Sequence, residues 1–266
     1  MNKVVLITGA SSGIGKVTAE FLSGKGYKIY GTCRSPKPAN QPFSLLRLDL
    51  NKLETIENAV KTVIEKEGRI DVLINNAGTG ITGSMEDTPT IEIRKAFETN
   101  FFGTIDVIKA VLPQMRKQES GLIINLTSIA GYMGLPFRGV YSSSKSALER
   151  VTESIRMEVK NFGIVITNIA PGDFNTNIAS NRYHTPVFED SAYKEVYQKN
   201  LDLMNAHVND GGDPIKIAKK IYKVINTKNP KIHYKIGSFL EEISIILKQV
   251  LPNKLYEYLI MKYYKM

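Results

Sequence analysis

The chain has one cysteine, Cys33, in 266 residues, which excludes an intrachain disulfide and any disulfide framework of the secreted type. A reducing, cytoplasmic setting is therefore expected. The three histidines, His184, His207 and His233, show no ligand spacing, and paired carboxylates and nucleophile motifs are absent, so no metal site is expected. No run approaches the roughly 18 to 20 apolar residues of a membrane-spanning helix. The apolar stretch at the N-terminus lasts only a few residues and passes directly into a glycine-rich turn, which reads as a strand rather than a signal peptide. No repeat, low-complexity tract or linker divides the chain, and its length suits one domain.

The net charge of +9 is unevenly distributed. From Asp213 onward, eleven lysines face one aspartate and three glutamates, a surplus of seven. These lysines alternate with Ile, Leu and Tyr at helical spacings, the pattern of solvated faces on amphipathic helices, so nucleic acid is not the expected partner.

Near-continuous apolar strands alternate with helical patterns: VVLIT, then Val17 to Leu22; KIYGTC; LLRLDL, then Leu53 to Glu67; DVLIN, then Ile91 to Met115; LIINLTS, then Tyr141 to Phe162; IVITNIA; and KIHYKIG. This order predicts an α/β fold, a doubly wound parallel sheet with helices on both faces. Such a sheet binds ligands beyond the carboxyl ends of its strands.

Gly9, Ser11, Ser12, Gly13, Ile14 and Gly15 lie between the first strand and the first helix, where glycines let backbone approach a pyrophosphate at a helix N-terminus. A nucleotide-triphosphate loop is disfavoured, because Val17 stands where Ser or Thr is required and the first glycine is one residue out of spacing. At the end of the second strand, where an NAD-binding fold places a carboxylate, stands Arg34. A guanidinium there suits a ribose 2′-phosphate, so NADP(H) is expected. Further along, Tyr141 and Lys145 are four apart at the start of a helical segment, on one face. A free phenol has a pKa of about 10, so proton exchange near neutrality benefits from a nearby cation. Ser128 closes another strand at the carboxyl edge, where it can donate to a substrate oxygen.

The ordered set TGASSGIG, Asp49, NNAG, Asn100, Ser128, YSSSK and Pro171-Gly172 through Thr176 resembles the short-chain dehydrogenase/reductase family, up to about Gly237. The resemblance implies a single-domain Rossmann-type fold and hydride transfer between NADPH and a carbonyl or secondary alcohol. It implies a tetrad in which Tyr141 is the acid/base, Ser128 polarises the carbonyl, Lys145 holds the nicotinamide ribose and favours phenolate, and Asn100 anchors a water. It further implies that Asp49 and Leu50 meet adenine, that Asn76, Ala77 and Gly78 line the adenosine ribose, and that Pro171, Gly172 and Thr176 meet the nicotinamide. Members of the family usually form homodimers or homotetramers.

The long irregular region Gly172 to Asp213 is expected to form a substrate loop or lid. Tyr132, Met133, Leu135, Phe137, Phe174, Tyr183, Val187 and Phe188 would make an apolar pocket for a lipophilic substrate of steroid, retinoid or lipid-ketone type. Residues 238–266 form an amphipathic extension with Leu240, Ile243, Leu247, Val250 and Leu251 on one stripe and a break at Pro252. It could cap the pocket, join subunits or lie on a membrane surface. A cofactor-binding regulator without turnover and a 3-oxoacyl-thioester reductase remain alternatives.

Overall fold

The computed structural model describes residues 2–37, 40–175, 182–209 and 211–266. Among these, seven parallel strands form one sheet: β1 Val4–Ile7, β2 Lys28–Cys33, β3 Ser44–Arg47, β4 Val72–Asn75, β6 Gly121–Leu126, β7 Ile164–Pro171 and β9 His233–Ile236. Their order is β3-β2-β1-β4-β6-β7-β9. The winding direction reverses between β1 and β4, so a crevice opens beyond the carboxyl ends of these two strands. Two short strands, β5 Ile81–Thr82 and β8 Tyr183–His184, pair separately.

Every residue of β1 and β4 is buried, as expected for strands covered on both faces. One face packs under α1 Gly13–Ser23 and α7 Ile215–Ile225. On α7 the apolar stripe Ile217, Ile221, Val224 and Ile225 is buried, worth roughly 1.5–3 kcal/mol per side chain. The other face packs under α2 Leu53–Glu67, α4 Gly103–Lys117 and α5 Gly139–Glu158. On α2, Gly68 ends the helix in the left-handed region at φ 70°, which a side chain would resist.

Three expectations change. The helical run from Ile91 is α3 Thr90–Phe97 followed by a π-helical turn, Glu98–Phe102, before α4 begins. The region from Gly172 to Asp213 is not wholly irregular, since it carries β8 and a sixteen-residue helix, α6 Lys194–Asn209. Ser128 lies two residues past the end of β6, as N-cap of a 3₁₀ turn, Ile129–Tyr132. The chain ends in α8 Phe239–Val250 and α9 Asn253–Tyr263, separated at Pro252. Ser238 opens α8 with a reciprocal capping box to Glu241.

Candidate active site

Thr8 is the hinge between the glycine turn and the strand beside it. Its hydroxyl accepts the backbone N–H groups of Asn76 and Ala77, each at 3.0 Å. Asn76 returns its amide to the carbonyls of Thr8 and Gly9, at 2.9 and 3.0 Å. Its donors are thereby spent on shaping the turn, so Asn76 positions the cradle. Gly9 holds φ at +69°, and a Cβ on Gly15 would lie 2.2 Å from the Gly9 carbonyl oxygen. Ser11 and Ser12 are exposed, the Ser12 side chain does not cap α1, and no acidic residue occupies its first turn. The positive end of α1 is thus open to an anion, the condition a pyrophosphate needs.

From this turn a recess of about 100 Å³ leads past Ile14, Asn76 and Gly78 to Ser128, Tyr141 and Lys145, with Pro171 and Gly172 on its far side. Gly78 gives it a floor, because a Cβ there would sit 3.1 Å from Asn100 Oδ1 and 3.4 Å from Lys145 Nζ. The residues present therefore fit a dinucleotide lying from the glycine turn to Tyr141. Asp49 accepts the Asn51 N–H at 3.1 Å, and Leu50 is buried under α4, its carbonyl against Gly103. Arg34 is exposed just past β2. Thr176 lies outside the described residues.

Lys145 is only 5% exposed and donates to the Leu126 carbonyl at 3.0 Å, leaving its ammonium 6.0 Å from the Tyr141 ring centroid. Arg138 approaches the same ring to 5.7 Å. Two cations thus flank the phenol. Ser128 Oγ accepts the Ala130 N–H at 3.2 Å and reaches the Pro171 carbonyl at 3.5 Å, which ties the 3₁₀ turn to the end of β7. Asn100 is fully buried in the π turn, a local widening common at functional sites. Its side chain accepts Thr79 N–H at 2.8 Å and donates to Thr79 O at 2.9 Å and to Ser144 Oγ at 3.1 Å. The amide is therefore a clasp between the strand end after β4 and the start of α5.

A second, larger cavity of about 620 Å³ begins at Ser128 and Gly172 and runs between the 3₁₀ turn and the two terminal helices. Of the aromatic and aliphatic side chains expected there, Met133, Leu135 and Phe174 line it. The others do not: Phe137 packs on Tyr197, Tyr183 against Ile81 and Val140, and Phe188 is exposed. Their place is taken by Leu240, Ile243 and Leu247 of α8 and Tyr256, Ile260 and Tyr263 of α9. Val250, assigned to the same stripe, is exposed.

Four polar residues near the site escaped the sequence reading. Arg138, Asp173 and Arg182 line the recess with Tyr141. Burial opposes the Arg138 charge, but Asp173, Tyr264 and Tyr141 raise its pKa above the ordinary value. Glu149, one turn beyond Lys145 and 1% exposed, accepts the Thr127 hydroxyl at 2.9 Å. Burial pushes its carboxyl up to about 7, against the pull of Thr127 and Arg150. Between the ordinary carboxyl value of about 4.5 and this value of about 7, the unfolded chain releases a proton that the folded chain keeps. The stability Glu149 allows is complete below about 4.5 and lost as pH rises through about 7. Glu149→Gln is therefore expected to gain on the wild type between pH 5 and 8 by about 3 kcal/mol, at 1.36 kcal/mol per pKa unit, in urea unfolding. A constant difference across that range would mean that Glu149 does not hold the proton.

Residues 3–186 match the family model described as short chain dehydrogenase. The chain is 38% identical over 263 residues to a 3-ketodihydrosphingosine reductase of Bacteroides thetaiotaomicron, with 98% of each chain covered. Among solved structures, a short-chain dehydrogenase of Streptomyces avermitilis superposes with a TM-score of 0.80 at 30% identity, covering 94% of this chain and 96% of that one. ElxO with NADP bound superposes with a TM-score of 0.73 at 28% identity, covering 89% and 97%.

Proposed function

This chain belongs to the short-chain dehydrogenase family, and from that premise we propose that it uses NADPH to reduce the ketone of a long-chain, lipid-like substrate. The observation that carries this reading is the apolar cavity of about 620 Å³ that starts at Ser128 and is walled by α8 and α9. Its size lies within the roughly 300–1,000 Å³ of small-molecule sites, and Ser128 opens it to the catalytic residues. The similarity to a 3-ketodihydrosphingosine reductase supports a ketone on a long alkyl chain over a compact steroid or retinoid. Residues 172–213 and 238–266 then serve as lid and cap.

The glycine turn, Gly78, Lys145 and Pro171-Gly172 would hold the dinucleotide, whose nicotinamide supplies the hydride when bound. Tyr141 gives its phenolic proton to the ketone oxygen as negative charge develops there. Ser128 donates a hydrogen bond to the same oxygen and fixes the carbonyl plane. Lys145 and Arg138 stabilise the phenolate left behind. Asn100 acts through Thr79 and Ser144, keeping Gly78 and α5 in register.

NADPH over NADH is supported by Arg34 and by Arg47, a second exposed arginine, since its β3 position pairs in register with Cys33. The terminal segment also exposes Phe239, Ile246, Val250 and Tyr258 as well as Lys254, Lys262 and Lys265, a composition suited to contact with an anionic membrane surface.

Steady-state oxidation of NADPH by 2-ketones of increasing length tests the reading. Each buried methylene contributes about 0.8 kcal/mol, so kcat/KM is expected to rise about fourfold per carbon until the cavity is filled. NADH is expected to be the poorer donor, and Arg34→Asp to remove the difference. A flat dependence on chain length would overturn the lipid assignment; a preference for NADH would overturn the cofactor assignment.

A further inference from the structure

Reduction of a plain ketone needs a proton donor and a hydrogen bond to the oxygen, yet the recess around Tyr141 also holds two guanidiniums and a carboxylate. Arg138 stands three residues before Tyr141, Asp173 directly follows the Pro171-Gly172 segment, and Arg182 enters from the chain preceding β8. Their positions are built. Phe137, just before Arg138, holds the left-handed φ of +57° that a bulky side chain resists, and its carbonyl accepts the Gly83 N–H at 2.9 Å. Asp173 is fixed by its N–H donating to Glu241 at 2.6 Å. The Arg182 stem lies over Gly80, where a Cβ would come within 2.8 Å of its Cγ.

Their charges do not balance. Asp173 and Tyr264 favour the charge of Arg138, and Asp173 also favours that of Arg182. Arg182 is 9% exposed, and its Nη1 is buried with no hydrogen-bond partner among the described residues. A guanidinium is always charged, and a buried donor on it without an acceptor is costly, so the place beside it suits an oxygen from a bound molecule. Ser128, Arg138, Gly172, Asp173 and Phe174 line both the recess and the apolar cavity, so the two adjoin there, with Arg182 on the recess side. An ammonium alone would meet two guanidiniums for one carboxylate. An oxyanion would meet the unpartnered Nη1 of Arg182, where Asp173 is the one carboxylate lining the recess among the described residues and is shared between the two guanidiniums.

We infer that the substrate carries an acidic oxyanion group, a phosphate, sulfonate or carboxylate, on the short side of its ketone, and that Arg182, backed by Arg138, binds it. This rests on the long-chain reading of the cavity, which supplies the other end of the same molecule.

The test is calorimetric binding of dodecanol and dodecyl phosphate, below their aggregation concentrations, to the full chain saturated with NADP⁺. Dodecyl phosphate is expected to bind about 10- to 100-fold tighter, the worth of one or two charge-assisted hydrogen bonds. Arg182→Gln is expected to reduce that advantage to about twofold or less while the dissociation constants of dodecanol and NADPH stay as they were, and Arg182→Lys to restore part of it. Equal binding of the two amphiphiles by the wild type would overturn the inference and leave the long-chain reading intact. Failure of both to bind would overturn the two together. If Arg182→Gln weakens NADPH and leaves dodecyl phosphate unaffected, the guanidinium serves the cofactor and the inference is wrong.

Discussion

Tyr141→Phe is expected to lower kcat by about 10²- to 10⁴-fold, the range that a positioned proton donor contributes, while the NADPH dissociation constant changes by less than about twofold. The ring's surroundings do not depend on its hydroxyl. Arg138 and Lys145 address its face from 5.7 and 6.0 Å, and Ser144 donates to the Tyr141 backbone carbonyl at 2.8 Å. What the substitution removes is one proton, at the moment when the ketone oxygen gains negative charge. Single-turnover stopped flow separates this loss from cofactor release, because the hydride step itself should slow. Since Ser128 still donates to the oxygen, a residual rate above the uncatalysed one is expected, and Tyr141→Phe with Ser128→Ala should lie below either single variant. A near-normal single-turnover rate in Tyr141→Phe would remove Tyr141 from the acid role and direct attention to Glu149, whose buried carboxyl holds a proton up to about pH 7.

The parts of the site that the sequence made legible are those whose geometry is local. The glycine turn before α1 and the Tyr141–Lys145 spacing need only strand, turn and helix to be in place. The boundaries of α2 follow from an apolar period ended by Gly68. Asn100 shows the limit of this reading: its position within a helix was visible, but the π turn that carries it, itself packed on α5, joins α3, which packs on α5, to α4, which packs on α2 and the sheet. Convergence of distant segments was invisible for the same reason. Arg138, Asp173 and Arg182 come from the start of α5, the end of β7 and the approach to β8, and no period relates them. Of the eight apolar side chains expected to line the pocket, three line the larger cavity. Met133, Leu135 and Phe174 were placed by proximity to the motifs, whereas most of the wall comes from α8 and α9, whose amphipathic stripe fitted a cap first but also a subunit interface or a membrane contact.

Gly15→Ala is expected to weaken NADPH binding by about 10²-fold or more while the protein still folds. An added Cβ would lie 2.2 Å from the Gly9 carbonyl oxygen and 2.4 Å from Asn76 Nδ2, well inside contact distance. The first of these is backbone, and the second is an amide already committed to Thr8 and Gly9, so neither can give way as the end of a flexible side chain would. Relief must come from moving α1 away from the turn. That shift displaces the N–H groups at the start of α1, and a misplacement of about 1 Å in a binding constellation costs about 10²-fold. The helix also packs on α7 through Ala19 and Leu22, so the strain is shared with the core and a loss of about 1–3 kcal/mol in stability should accompany it. Gly24→Ala is the control, since its Cβ would meet nothing nearer than 3.5 Å and its φ of −64° suits alanine. NADPH fluorescence titration together with thermal unfolding distinguishes the cases. A Gly15→Ala protein that binds NADPH like the wild type would mean that the cofactor does not depend on the α1 terminus, and the site would have to be sought elsewhere along the carboxyl edge of the sheet.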